Sequence, residues 1–108
     1  MNKFHNRKTQ FHGKQFDSKR EAKRFAELTL LERAGKITNL RTQVKYLLIP
    51  SQYIDGKCVL RSCSYVADFT YWQNGKFVVE DAKGVQTDLY RIKKKLMFLN
   101  YGILVREV

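Results

Sequence analysis

The pattern of apolar and polar residues predicts an α/β domain with the element order α-β-β-β-α-β. Capping residues and a glycine bound one helical segment, an Asn-Gly pair lies between two β-rich runs, and a threonine precedes a second amphipathic segment. The chain has 108 residues, which is enough for one compact domain with one hydrophobic core.

The helices are predicted from their end signals. The first begins after Asp17-Ser18, where Ser18-Lys19-Arg20-Glu21 matches the capping-box pattern, and ends near Ala34 because Gly35 follows. Thr87 is the expected cap of a second helix over 88–99.

The strands are predicted from extended runs and from the turn between two of them. Runs of this kind are expected over 44–49, 59–71, 77–82 and, after Gly102, 103–105. Residues 50–57 connect the first two runs. Asn74-Gly75 predicts a tight hairpin turn, because both residues tolerate positive φ.

The charge balance is strongly basic. Lys and Arg total 21 against 10 acidic residues, which gives a net charge of +11. Such an excess indicates a polyanionic partner, with nucleic acid first and an anionic membrane second. A generic solvated basic surface is the alternative interpretation. The hydrophobic fraction of 44% excludes a chain that is disordered throughout.

The first fifteen residues form a basic arm, and residues 16–108 form the domain. The arm is expected to be loosely ordered unless nucleic acid holds it. Its cations are Lys3, Arg7, Lys8 and Lys14. His5 and His12 are interpreted as solvated arm residues rather than metal ligands.

Cysteine usage and hydropathy predict a cytoplasmic protein that does not span a membrane. Cys58 and Cys63 are five positions apart in one strand-like run, where a disulfide would be strained. Neither a secretory signal nor a long apolar stretch is present in the sequence. Reduced thiols are therefore expected.

Two carboxylates and a lysine are predicted to share one face of the sheet. Side chains alternate along a strand, so Asp81 and Lys83 point the same way, and Asp68 on the partner strand can reach that face. Carboxylate oxygens hold hard divalent cations, and an ammonium group stabilises charge on a reacting phosphate. The pattern predicts a metal-dependent phosphodiesterase site. The alternative for Asp81 and Lys83 is a surface ion pair, and the alternative for Asp68 is a carboxylate at a strand end or turn.

Two further carboxylates lie near these residues in the sequence pattern. Glu21 falls inside the apolar stripe of the first helix, so it is a candidate third site residue. The alternative is the carboxylate of the capping box, and the two roles are compatible if the start of the helix abuts the sheet. Glu80 faces away from Asp81 and is expected to contact the other face of the sheet or pair with a basic helix residue.

The second helix combines an apolar stripe with a basic face. The stripe consists of Leu89, Ile92, Leu96 and Leu99. The expected nucleic-acid contacts on this helix are Tyr90, Arg91, Lys93, Lys94 and Lys95. The alternative is a solvated basic face.

The motifs resemble the PD-(D/E)XK nuclease superfamily. Glu21 on a first helix, Asp68 on one strand and Asp81-x-Lys83 on the next match its signature, and Ala67 stands where the namesake proline would be. Residues 16–22, 67–69 and 79–84 look most like a family of small phage and prophage proteins related to Holliday-junction resolvases and the transposon endonuclease TnsA.

The resemblance implies a fold, an activity and a ligand set. The fold is the restriction-endonuclease-like αβββαβ core, a mixed central sheet flanked by helices. The activity is Mg²⁺- or Mn²⁺-dependent endonucleolytic hydrolysis of DNA, structure-selective in the manner of a junction resolvase, in phage recombination or DNA processing. Glu21, Asp68, Asp81 and the backbone carbonyl of Ala82 would bind metal, and Lys83 would orient or deprotonate the attacking water.

Other functions remain open at this stage. One is a non-catalytic nucleic-acid-binding module that keeps the fold without turnover, and another is an assembly protein that uses its basic surface on a protein partner. The expected partner is DNA, branched DNA included. A homodimer is left open, because symmetric cuts across a junction need two sites.

Overall fold

The core elements follow one another as the sequence predicts. The computed structural model describes residues 9–11, 14–16, 18–82 and 86–108. Its helices are α1 (Lys19–Arg33) and α2 (Asp88–Tyr101). Its strands are β1 (Thr9–Phe11), β2 (Lys14–Phe16), β3 (Thr38–Ile49), β4 (Gln52–Ile54), β5 (Lys57–Leu60), β6 (Cys63–Gln73), β7 (Lys76–Asp81) and β8 (Arg106–Glu107). The succession α1-β3-β6-β7-α2-β8 confirms the predicted α/β class and the α-β-β-β-α-β order.

A mixed four-stranded sheet forms the centre of the fold. Its strand order is β3-β6-β7-β8, in which β3 with β6 and β6 with β7 are antiparallel, whereas β7 with β8 is parallel. The parallel pair requires a crossover, and α2 supplies it. The mixed sheet flanked by helices is therefore confirmed.

Each helix buries a cluster of side chains against the sheet. The α1 cluster includes Ala22, Phe25 and Leu28 of the helix with Phe69, Tyr71 and Val78 of the sheet. The α2 cluster includes Tyr90 and Met97 of the helix with Tyr65, Ala67, Val79 and Val105. Strand β7 is covered on both faces, which explains why its last four residues are all buried.

The helix limits match the predicted end signals. Ser18 Oγ accepts a hydrogen bond of 3.1 Å from the Glu21 amide, and Thr87 Oγ1 accepts one of 3.1 Å from the Tyr90 amide. The α1 helix ends at Arg33, close to the expected Ala34. Gly102 ends α2 with a φ of 68°, and its amide donates to the Phe98 carbonyl oxygen at 2.9 Å.

The Asn74-Gly75 turn is confirmed. Both residues have positive φ, 53° and 75°, which matches the right-handed twist of the flanking strands. Gln73 and Lys76 form the pair that closes the hairpin. The turn fixes the register of β6 against β7, on which the position of the acidic residues depends.

Two predicted strand limits are wrong. The run expected over 59–71 is broken between β5 and β6, and the 50–57 connection contains most of a second hairpin, β4 with β5. Asp55-Gly56 makes its turn, with φ values of 48° and 78°. Strand β3 begins at Thr38 rather than near 44, because backbone pairing with β6 extends it through polar residues whose side chains carry no strand signal.

The apolar stripe of α2 and the last strand also differ from expectation. Leu89, Ile92 and Leu99 are 60%, 54% and 77% exposed, so these three do not face the core, whereas Leu96 is half-buried and packs against the α2 cluster. The residues 103–105 precede the strand, which is formed by Arg106 and Glu107 beside Glu80 and Asp81. The apolar pattern correctly indicated that Val105 is buried, but the residues that pair with β7 are the two that follow it.

The predicted basic arm lies partly within the described residues. Strands β1 and β2 pair with each other in antiparallel register, a hairpin that the sequence analysis does not predict. Lys14 belongs to β2, whereas Lys3, Arg7 and Lys8 lie outside the described residues. Among the described helices, none combines the length and apolar composition needed to cross a membrane.

Candidate active site

Three carboxylates approach one another at one end of the central sheet. Phe69 of β6 pairs with Glu80 of β7, so the preceding residue Asp68 lies beside Asp81. Glu21, in the first turn of α1, completes the group. Glu21 and Asp81 are 5% and 2% exposed, and Asp68 is half-buried. We call Glu21, Asp68 and Asp81 the acidic cluster.

The alternation of side chains along β6 is interrupted at Asp68. Residues two apart in a regular strand share a face. Ala67, however, packs in the α2 cluster and Phe69 in the α1 cluster. Across the sheet, Gln43 lies between the residues that pair with these two, and its φ of 54° is unusual for a residue inside a strand. This irregularity lets Asp68 reach both Asp81 and Glu21.

The cluster is electrostatically unfavourable on its own. Burial, then the hydrogen bond and charge of Asp81, raise the pKa of Asp68 to about 7, and the charge of Glu21 adds to the effect. The Ala82 amide acts in the opposite direction by donating to Asp68. A carboxyl group with a pKa near neutrality is typical of functional sites.

One oxygen of each carboxylate is held by a neighbouring donor. Gln43 Nε2 donates to Glu21 Oε2 at 2.7 Å, and the Ala82 amide donates to Asp68 Oδ2 at 2.9 Å. Tyr65 Oη donates to Asp81 Oδ2 at 2.6 Å. Burial, followed by the bond to Asp81, raises the pKa of Tyr65. Donors placed in this way fix carboxylate orientation, as around metal-binding carboxylates.

Tyr90 and Lys94 of α2 meet a fourth carboxylate near the cluster. Both groups lie 2.9 Å from Glu107 Oε2 of β8. The hydrogen bond from Lys94 lowers the pKa of Glu107. Burial and Glu107 raise the pKa of Tyr90, with a contribution from the charge of Asp81, so the α2 residues are close enough to interact with the cluster.

Glu80 faces the opposite side of β7 from Asp81, as expected. Its carboxylate is fully buried and receives two hydrogen bonds from Arg24 of α1, at 2.9 and 2.7 Å, and one from Tyr71 Oη. The hydrogen bond to Glu80 raises the pKa of Arg24, and burial together with Glu80 raises that of Tyr71 to about 12. Arg106 of β8 donates to Tyr71 Oη at 3.3 Å. The predicted pairing of Glu80 with a basic helix residue is confirmed.

A basic cavity lies beside the first turns of α1. Its volume is about 430 Å³, and its lining includes the cations Lys19, Arg20, Lys23 and Arg24, with Glu27 and Ala82. Arg24 also lies 3.5 Å from Glu27, so part of the charge is balanced. The cavity borders the acidic cluster through Ala82, whose amide binds Asp68. We call it the α1 cavity.

The comparison with known proteins identifies a family. A family model described as a protein of unknown function, DUF1064, matches residues 1–106. The chain belongs to the DUF1064 family. No curated protein and no solved structure matches it. The geometry of the DUF1064 chain itself therefore carries the functional argument.

The structure of the DUF1064 chain accounts for most of the predicted site residues. It brings Glu21, Asp68 and Asp81 together, with Ala82 beside them, whereas Lys83 lies outside the described residues. Of the predicted α2 contacts, Arg91 pairs with Asp88 at 3.0 Å, and Lys93 lines a cavity of about 260 Å³ with Tyr65 and Tyr90. Lys95 is exposed.

Sequence reasoning missed Gln43, Glu107 and the role of Tyr65. Tyr65 lies in a predicted strand and its burial follows the alternation of side chains, but its bond to Asp81 crosses from β6 to β7. Glutamine gives no local sign of a left-handed backbone, unlike asparagine or glycine. The α1 cations carried a usable signal, since Lys19, Arg20 and Lys23 flank Glu21 in the sequence.

The donor set of the DUF1064 chain fits a hard divalent cation in its chemistry. Carboxylate oxygens are the ligands that Mg²⁺ and Mn²⁺ prefer, and a cation would stabilise the ionised form of Asp68, which burial and the neighbouring Asp81 disfavour. Within residues 18–82 and 86–108, no group of three His, Cys, Asp or Glu side chains is already gathered around a common metal position. The amide of Gln43, between Glu21 and Asp68, separates two of the carboxylates.

Proposed function

We propose that this protein is a metal-dependent DNA endonuclease with a PD-(D/E)XK type of site. The observation that carries the proposal is the acidic cluster, in which each carboxylate has one oxygen oriented by a donor. Burying carboxylates is costly, so three of them gathered at one end of a sheet, one with a pKa near neutrality, are typical of a functional site. A restriction-endonuclease-like identity for the αβββαβ core is part of the proposal.

Each site residue has a role in this proposal. Glu21, Asp68, Asp81 and the carbonyl oxygen of Ala82 hold one or two Mg²⁺ or Mn²⁺ ions. When bound, the metal lowers the pKa of water and stabilises negative charge on the phosphate. Lys83 orients or deprotonates the attacking water, and the chain places it directly after Ala82.

DNA is the proposed substrate because of the charge distribution. The net charge is +11, and two groups of cations flank the acidic cluster, one at the α1 cavity and one on α2. Phosphate contacts of this kind position a strand without reading its sequence. This suits recognition of a branched shape, as in a junction resolvase of phage recombination or DNA processing in the host cytoplasm.

A cleavage assay with matched variants tests the activity. Branched and linear duplex DNA are incubated with Mg²⁺ and with wild-type protein, Asp81→Asn or Lys83→Ala. We expect Asp81→Asn to reduce cleavage by at least about 100-fold, because losing a ligand exceeds the 10–100-fold typical of outer-shell changes. The control is Asp55→Asn, the same substitution in the exposed β4–β5 turn, where asparagine tolerates the positive φ. Full activity of either site variant would refute the assignment.

The α1 cavity gives a separate prediction about the path of the strand. Changing both Lys19 and Lys23 to glutamine removes two phosphate contacts, which lowers the slope of log K against log salt by about 2. The control changes Arg33 and Lys36 to glutamine. Both residues are exposed near the C-terminal end of α1, about 20 Å along the helix axis from Lys19. DNA binding is measured by fluorescence anisotropy between low and moderate salt. Equal slopes for the two double variants would place the strand elsewhere.

The second candidate function is a DNA-binding module without turnover. The basic surface favours it, because salt-sensitive DNA binding needs only the net charge of +11 and cations such as those lining the α1 cavity. This candidate predicts salt-sensitive DNA binding, absence of Mg²⁺-dependent cleavage, and site variants that bind DNA as the wild type does.

A further inference from the structure

Gln43 has an unusual backbone for its position. It lies inside β3, yet its φ is 54°, a left-handed value that costs a non-glycine residue free energy. It stands at the point where the alternation of side chains along β6 is interrupted, between the residues that pair with Ala67 and Phe69. Pairing of the neighbouring residues with β6 holds this conformation, which sets the direction of the Gln43 side chain.

The side chain of Gln43 connects two carboxylates from different elements. Its Nε2 lies 2.7 Å from Glu21 Oε2 on α1 and 3.5 Å from Asp68 Oδ1 on β6. A neutral amide donor stabilises adjacent negative charges without adding a competing cation. Three separate elements therefore meet at one amide group.

We propose that Gln43 is a positioning residue for the divalent cation, an inference that rests on the proposed function. It does for Glu21 what Tyr65 does for Asp81 and the Ala82 amide does for Asp68. In each case a donor holds a carboxylate oxygen and so restricts the orientation of the carboxylate group. Gln43 is assigned no contact with the reacting atoms.

Asn39 provides a comparison for Gln43, because it has the same kind of backbone conformation at a different place in the strand. It lies in the same strand with a φ of 56°, at the register shift between Thr38 and Arg41, and it is exposed. Asn39 belongs to a sheet irregularity outside the acidic cluster. A positive φ inside a strand therefore does not by itself indicate a functional role. The contacts of Gln43 with Glu21 and Asp68 are what distinguish it from Asn39.

Mn²⁺ affinity, measured by titration calorimetry, tests the proposal. Gln43→Leu removes the donor, and Gln43→Gly removes it while relieving the backbone strain, so the second variant keeps the test usable if the first folds poorly. Both are expected to bind Mn²⁺ about 10–100-fold more weakly than the wild type. Asn39→Gly relieves the same strain at the control position and is expected to bind as the wild type does.

Cleavage kinetics supply a second measurement. The Gln43 variants should need more Mn²⁺ for half-maximal cleavage and recover much of their rate at saturating ion, because positioning affects binding of the ion. A folded Gln43→Gly protein with wild-type Mn²⁺ affinity would overturn the inference while leaving the nuclease proposal intact. A wild-type protein that neither binds Mn²⁺ nor cleaves DNA would remove both.

Discussion

Replacing Asp68 by asparagine measures the cost of ionising Asp68, which comes first from burial and then from the neighbouring carboxylates. The pKa of Asp68 is about 7 in the folded protein against an ordinary value of 3.8, so the folded state binds more protons than the unfolded state between these values. The contribution of Asp68 to the free energy of unfolding must therefore fall as pH rises from about 4 to about 7, and stay level on either side. The full difference between these two pKa values corresponds to a loss of about 4 kcal/mol in the free energy of unfolding. Partial exposure of Asp68 to solvent reduces the expected loss to roughly 2 kcal/mol.

Asp68→Asn removes this dependence because asparagine does not ionise. Its side-chain oxygen can still accept the hydrogen bond from the Ala82 amide, so the contact that positions the residue is retained. In EDTA, the variant should be more stable than the wild type by about 2 kcal/mol at pH 8, and equally stable near pH 4. Mn²⁺ should narrow the difference at pH 8, since an ion that binds only the folded wild type stabilises it.

The assay is urea denaturation followed by far-UV circular dichroism at pH values from 4 to 8. Asp55→Asn in the exposed β4–β5 turn is the control, and its stability should follow the wild type at every pH. A difference between Asp68→Asn and the wild type that does not change with pH would refute the electrostatic argument. So would a variant that is less stable than the wild type at pH 8.

Three further single substitutions, two of them compared with a second variant, are tested by urea denaturation. Arg24→Met leaves the fully buried Glu80 without its cation and should lower the free energy of unfolding by about 3–5 kcal/mol; adding Glu80→Gln should recover part of the loss, and absence of recovery would contradict the pairing. Tyr65→Phe removes the donor to Asp81 and should cost about 2 kcal/mol; wild-type stability would show that this bond contributes little. Gly102→Ala should cost about 1 kcal/mol because alanine is strained at a φ of 68°, whereas Gly102→Asn should cost less.

Features that depend on neighbouring residues in the chain could be predicted from the sequence. Ser18, Thr87 and Gly102 mark helix ends because caps satisfy backbone groups within a few residues. Asn74-Gly75 marks a hairpin for the same reason. Asp55-Gly56 is the same kind of signal and was not used, so the β4–β5 hairpin was missed although it was predictable.

Features that depend on distant pairing could not be predicted in the same way. The sequence indicated Glu21, Asp68 and Asp81 as candidates through strand alternation and a helical stripe. It contained no sign that Gln43 would lie between two of them, because that depends on the register of β3 against β6. Likewise, periodicity found the α2 stripe, but only packing decides that Tyr90 and Met97 face the sheet instead.

The network around Glu80 has a consequence for the timing of folding. Arg24 and Glu80 are 56 positions apart, and Tyr71 and Arg106 are 35 apart, so the network closes only through contacts of long sequence separation. Such contacts form late, because large chain loops must close first. A nascent chain still lacking residues 106–107 therefore has β7 without its parallel neighbour β8. Under the proposed function, hydrolytic capacity would then arise together with the finished fold, and incompletely synthesised chains would leave the DNA around them uncut.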